Sequence, residues 1–450
     1  MVRAIIQSLG SQKRIAGGAA VLAVMQFGAS FAGLFRDRIL ASTFPPGIDQ
    51  LDTVSVYIAA FRPSDLLFQM FIMSAFSVAL VPLLAGHLAE GRKDEMDRLL
   101  SSVMVVALAV FAALALLLTV FFDYLAPYLV DFRGESLQNY IHFGRLACFT
   151  NFLFVIGNGF GQYLITRQTY VAYCITPILY TLGTIAGTVW LTPIVGPFGP
   201  IYGTVVGALV YVWVRFGACM LQGFSFRLRK IQIWHPEFKE IGHLMLPRMI
   251  ALGALQVQLL LFDKIASGLP LGSVTINAYA RNFQAVVVGV IGIALAQSAY
   301  SLMSQAAAAG DFQRFWKYIR KGTFLALGFT IPGAIALIFL APVAAKIVNL
   351  SVPQVVETFV VALSLYAISI PFESLNHLLL RASYATKHTL VPAVISVLNW
   401  AFAITIAFVF APQYGVYALA GGFVVGQAIQ MVALWAFLRV RVRRLQVRIS

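Results

Sequence analysis

Nine ionisable side chains stand within long apolar stretches: Arg36, Asp37, Arg62, Asp65, Arg145, Arg215, Asp263, Arg281 and Glu373. Such groups are costly inside a bilayer and usually face a partner or a water-filled cavity. Arginines predominate, so a cavity lined by these residues is expected to be electropositive. A guanidinium offers a planar fork of donors that matches phosphate oxygens in pairs. An excess of buried cation is unfavourable until an anion fills it. The chemistry expected is therefore binding of a phosphate-bearing anion rather than a cationic drug.

Each position also has a plainer reading. Arg36 and Asp37 suit either a cavity or the outer interface of a first span. Arg62 and Asp65 lie three residues apart on one helical face, which fits a local ion pair as well as a substrate-facing cation. Arg145 and Arg215 suit snorkelling to an interface. Glu373 follows Pro371, where a broken helix would expose backbone groups, and it suits pairing with an arginine or carrying a proton. No metal, cofactor or enzyme motif accompanies them. The histidines (His87, His142, His235, His243, His377, His388) form no HExxH and are expected to be structural or interfacial. The three cysteines lie scattered in apolar runs and suggest neither disulfides nor a zinc site.

The elements that would carry these groups are legible in the composition. The chain has 450 residues, 60% of them hydrophobic and 11% charged, and its mean hydropathy is +0.85. A soluble domain carries about 25% charge. An ordinary soluble enzyme, a disordered chain and a disulfide scaffold are thereby excluded. Apolar runs predict spans at 14–36, 54–85, 99–123, 138–165, 168–192, 198–222, 241–266, 272–304, 320–346, 354–380, 389–411 and 415–438. Residues 1–14 are short and mixed and suggest no cleavable signal. Most of the 32 basic residues fall in loops on the side of the N-terminus, whereas the loops at 193–198 and 412–414 carry no charge. Both termini are therefore expected in the cytoplasm. The formal charge of +15 then reflects topology and anionic inner-leaflet lipid, and nucleic acid is not an expected partner.

The two halves of the chain resemble each other. "FRDRILASTFP" (35–45) parallels "LFDKIASGLP" (261–270), and "AFSVALVPLLAGHLAEGRKDEM" (75–96) tracks "ALAQSAYSLMSQAAAAGDFQRF" (294–315) at an offset of 219, which sets Arg62 against Arg281. Arg167 parallels Arg381, and Pro177 parallels Pro392. The expected fold is all-α and polytopic, with about twelve transmembrane helices in two six-helix lobes, 1–230 and 231–450, around a central cavity. That duplication suits an alternating-access carrier, with Arg62 and Arg281 on opposite walls.

Several segments carry a more specific resemblance. "GLFRD" (33–37), "SAFSVALVP" (74–82), "ITPILYTLG" (175–183), "LPLGSVTINAYARNFQ" (269–284) and "GVIGIALAQSAYSLMS" (289–304) are similar to motifs of the MurJ (MviN) lipid II flippases, within the multidrug/oligosaccharidyl-lipid/polysaccharide exporter superfamily. The resemblance covers nearly the whole chain. It implies movement of an undecaprenyl-diphosphate-linked peptidoglycan precursor from the inner to the outer leaflet of the bacterial cytoplasmic membrane, for cell-wall synthesis. It implies lipid II, membrane lipids and cell-wall synthesis proteins as partners. Arg36 and Asp37 carry over from the first-span core, and Arg62 matches an early basic residue of the second span. Asn282 falls where the eighth-span arginine would be, with Arg281 one residue before it. The sequence departs from the family at Ser30, Phe68, Met73 and Ser74, where it lacks the family's arginines, glutamate and first glycine. Many members have two further spans beyond the twelfth. A sodium site attributed to some relatives needs an acid in the seventh span, and 241–262 has none. Related readings are a flippase for another lipid-linked glycan, a cation-coupled small-molecule exporter and a non-transporting scaffold for cell-wall synthesis.

Overall fold

The computed structural model describes residues 15–76, 80–226, 231–232, 237–386 and 388–449. Residues 1–14, the Ser77-Val78-Ala79 portion of the second-span motif, Arg227, Arg229, Lys230, His235 and Lys387 lie outside them. The described chain is helical, with no strand. It is an all-α polytopic membrane protein. Among the described residues nine helical stretches are long and apolar enough to cross a membrane. One of them, Tyr170–Leu221, is 52 residues long and contains two of the spans expected from the sequence. The helix Ile15–Thr43 has 29 residues and lies outside those nine, as does the helical stretch described from Thr53 to Phe76.

Local chemistry sets the ends of these helices. Asp94 and Glu95 occupy the first turn of Lys93–Val120, where the helix dipole favours negative charge. Asp311 accepts a hydrogen bond from the Arg314 amide at 2.9 Å and caps Phe312–Ile347. Pro353 opens the helix Pro353–Ala385, where its missing N–H is not needed.

The chain divides into two compact units. One comprises Met1–Phe44 and Leu51–Leu260, and the other Pro45–Gln50 and Leu261–Ser450. In the first, Phe76, Leu99, Phe111 and Tyr163 are buried in the main core. In the second, Met303, Phe315, Leu379 and Leu438 form a core that ties four helices together.

The sequence repeat has structural landmarks. A 15-residue helix, Thr53–Leu67, follows a left-handed N-cap at Asp52, and a 15-residue helix, Ser273–Val287, follows a left-handed N-cap at Gly272. Each runs directly into a six-residue π-helical segment, Phe68–Met73 and Val288–Ile293. These landmarks are 220 residues apart. Gly91 and Gly310, both at φ 71°, are 219 apart, as are Gly196 and Gly415 at φ 61° and 58°. One residue is thus lost from the second copy after the π-helical segment. The register read downstream of that loss does not hold upstream. By elements Arg62 corresponds to Asn282, and Arg281 sits one residue earlier, about 100° round the helix.

Candidate functional sites within the two units

In the first unit, Arg36 and Asp37 are carried by the helix Ile15–Thr43, about two turns before its end. The Arg36 guanidinium donates twice to Asp37 Oδ1, at 3.0 Å from Nε and 2.7 Å from Nη2. Asp37 is buried and Arg36 half-buried. The pair uses two of the five N–H groups of the guanidinium. Tyr57 and Tyr180 are near enough to interact electrostatically with Arg36. The Tyr57 hydroxyl is 2.8 Å from that of Thr204, which is 2.8 Å from that of Thr184. Three helices are therefore joined by hydroxyls beside Arg36.

Arg62 and Asp65 lie on the helix Thr53–Leu67, both half-buried, and interact electrostatically. Asp65 also accepts a hydrogen bond from Asn151 Nδ2 at 2.8 Å, and the same amide donates to Ser64 at 2.8 Å. Asn151 belongs to Glu135–Thr166 and is buried. It ties the second helix of this unit to that longer helix at the level of Asp65.

Arg145 and Arg215 separate from this group. Arg145 donates to Asp123 at 2.7 Å, and Asp123 is largely exposed. Arg215 does not snorkel. It is 1% exposed and donates to Thr176 Oγ1 at 2.8 Å, the Gly157 carbonyl at 3.0 Å and the Tyr173 carbonyl at 3.1 Å. Its guanidinium lies over the rings of Tyr211 and Tyr173, at 4.1 and 4.5 Å. Neutral acceptors and ring faces hold the charge, which makes Arg215 a packing element of this unit.

In the second unit, Arg281 lies on Ser273–Val287, the helix that precedes the π-helical segment. Its guanidinium lies over Phe423 at 4.5 Å and at 5.9 Å from Tyr366. Its Nη1 is buried and has no hydrogen-bond acceptor among the described residues. The Tyr366 hydroxyl donates to Asn277 Oδ1 at 2.6 Å. Asn282, next to Arg281, is exposed. Among the described residues Glu373 pairs with no arginine: its carboxylate accepts from Gln284 Nε2, which also donates to Ser369 at 3.2 Å. Asp263 is buried. Among the described residues no group of three His, Cys, Asp or Glu side chains is placed to hold a metal ion.

The sequence pointed to the charges but not to their holders. Asn151 shares its apolar run with Asn139, Asn158 and Gln162, and Gln284 shares its run with Asn277 and Asn282, and nothing in the linear pattern shows which amide reaches a carboxylate. Tyr366 and Phe423 are ordinary aromatic residues of apolar helices until Arg281 is laid against them.

The sequence profile of the lipid II flippase MurJ family matches residues 50–449. The chain belongs to that family. A probable lipid II flippase MurJ of Bdellovibrio bacteriovorus is 24% identical to it, over 95% of this chain and 83% of the relative. The lipid II flippase MurJ of Burkholderia cenocepacia is 24% identical, over 91% of this chain and 81% of the relative. Among solved structures, a lipid II flippase MurJ in an inward closed conformation superposes with a TM-score of 0.76 at 19% identity, covering 95% of this chain and 90% of its own. An inward-facing MATE multidrug transporter of the MOP superfamily superposes with a TM-score of 0.82 at 12% identity, covering 93% of this chain and 95% of its own. At those identities the superpositions show the shared transporter fold. The family is one of transporters of a lipid-linked precursor, and the chain is a multi-pass membrane protein of that family.

Proposed function

We propose that this chain moves lipid II, an undecaprenyl-diphosphate-linked peptidoglycan precursor, from the inner to the outer leaflet of the bacterial cytoplasmic membrane by alternating access. The family match over residues 50–449 carries this reading. The chemistry of the charged groups supports it. Arg36, Arg62 and Arg281 stand in apolar helices, and Arg281 keeps a buried donor with no acceptor among the described residues. A diphosphate supplies such acceptors. The role of Asp37 is to orient Arg36 through the two bonds to one oxygen. Asp65 and Glu373 are held by amides beside the cations, and exposed Asn282 offers an amide for the sugar or peptide part of the head. The lipid tail stays in the bilayer while the head crosses. Both termini lie in the cytoplasm in this reading, and the reaction feeds cell-wall synthesis without covalent chemistry in this chain.

The test is replacement. A strain depleted of its resident lipid II flippase is supplied with this chain, and the leaflet that holds the precursor is measured. Growth with outer-leaflet precursor is the expected result. Precursor trapped in the inner leaflet, with the protein made and inserted, would falsify the proposal.

A further inference from the structure

Glu373 is an acid of the second unit held within a membrane helix, yet it forms no ion pair with Arg281 among the described residues. Arg281 lies against the helix that carries Glu373, two turns before it. Arg281 rests beside Tyr366 on the helix Pro353–Ala385, Ser369 follows Tyr366 by one turn, and Glu373 follows Ser369 by one more. On the other helix Gln284 follows Arg281 by one turn. The Gln284 amide bridges that gap, donating to Ser369 and to Glu373. Gln284 is buried, so the amide is fixed by packing as well as by its bonds.

We infer that Gln284 is a positioning residue of the transport site, whose amide restrains the Glu373 carboxylate from neutralising Arg281. In a medium of low dielectric a free carboxylate one or two turns from a guanidinium is strongly drawn to it. A helical side chain tilts toward the N-terminus, so a freed Glu373 carboxylate would lean toward Ser369 and Tyr366, the side on which Arg281 lies. Such a pair would occupy the open Nη1 of Arg281 and remove the charge an anion needs. The amide satisfies the carboxylate with a neutral donor instead, so the Arg281 charge is left for an anion and rests against the rings of Phe423 and Tyr366. The inference rests on reading Arg281 as a phosphate-binding cation.

The test uses the full chain in vesicles, with lipid II as the probe and its appearance in the opposite leaflet as the readout. Gln284→Ala is expected to raise the half-saturating lipid II concentration about tenfold at an unchanged maximal rate, since a freed Glu373 competes for Arg281. The double variant Gln284→Ala/Glu373→Gln is expected to transport better than Gln284→Ala and to match Glu373→Gln alone, because a neutral side chain cannot neutralise the arginine. Damage to packing alone would not be relieved by that second substitution. Wild-type half-saturation in Gln284→Ala overturns the inference, and so does a double variant no better than the single one. Arg281→Ala separates the two levels of the argument. If it transports at the wild-type rate and half-saturation, the reading of Arg281 itself fails. If it is impaired while the Gln284 arms behave as just described for failure, only the positioning role falls.

Discussion

Buried arginines in this protein are of two kinds, and what surrounds each guanidinium tells them apart. Arg215 has three neutral acceptors and two aromatic rings, so each of its three guanidinium nitrogens has an acceptor within the first unit. Arg215→Ala would leave those acceptors unpaired and open a cavity, at a cost of roughly 2–5 kcal/mol in stability. It should appear as a lower unfolding temperature in detergent, with normal half-saturation in whatever protein survives. A normal melting curve combined with lost transport would contradict that assignment. Arg281 is the opposite case, with a buried donor that has no acceptor among the described residues. Arg36 shares its charge with one carboxylate oxygen. For Arg36, Arg62 and Arg281 the expected order of transport is wild type, then lysine, then alanine. Lysine keeps the charge but loses the fork. Losing one arginine should cost roughly 2–5 kcal/mol of affinity for the diphosphate, about 30-fold or more. Rates measured in reconstituted vesicles check this. Alanine variants, single and combined, that all transport at the wild-type rate would mean that these arginines are structural.

Helix contacts show where a one-dimensional pattern carries information and where it stops. The apolar runs marked helices well, because a bilayer admits few other solutions for an unpaired backbone. The π-helical segments at Phe68–Met73 and Val288–Ile293 left no mark in the runs, since one extra backbone residue in a turn changes no composition. They decide the register of the repeat. Arg62 and Arg281 align by letters, and the helices align one residue away. The partners of Asp65 and Glu373 were hidden for another reason: an amide in an apolar run has no periodic signature. Close helix approach, by contrast, is written in glycines. A Cβ at Gly183 would strike the backbone of Gly207, and one at Gly203 would strike the carbonyl of Gly183. The helices Tyr170–Ala186 and Gly199–Leu221 therefore pack backbone to backbone, as small residues permit within membranes. Alanine at either position must push the helices apart, with a penalty of about 1–3 kcal/mol. Gly217, whose Cβ would meet nothing within 4 Å, serves as the control. Melting curves of Gly183→Ala and Gly203→Ala should shift down and that of Gly217→Ala should barely move. Equal shifts at all three would remove close packing as the cause.

At the scale of the molecule the question is which side of the membrane each end faces, and charge distribution makes a definite forecast. Asymmetry of Lys and Arg in short loops sets orientation, because basic residues resist translocation. The tight connections at Gly196 and Gly415 are built on left-handed glycines, and the loops around them, 193–198 and 412–414, hold no charge. By contrast, Arg92, Lys93 and Arg98 surround the start of Lys93–Val120, and Arg314, Lys317, Arg320 and Lys321 surround the start of Phe312–Ile347. The last helix, Val416–Ile449, has 34 residues, roughly 50 Å at 1.5 Å each, against a hydrocarbon layer of about 30 Å. Its excess length carries Arg439, Arg441, Arg443 and Arg444, and the Arg439 guanidinium lies over the Trp435 ring at 3.3 Å. A tryptophan followed one turn later by arginines marks a membrane boundary with the charges outside the hydrocarbon. Reporters inserted at Gly196 and Gly415 should be active only in a form that requires export, and reporters placed after Gly223 or after Ser450 only in a form that requires the cytoplasm. Because Gly196 and Gly415 occupy matching places in the repeat, they should give the same answer. Opposite answers would mean that the two copies run in opposite senses through the membrane. An exported signal after Ser450 would put the basic collar on the outer face, and the proposed direction of transport would then have to be reversed.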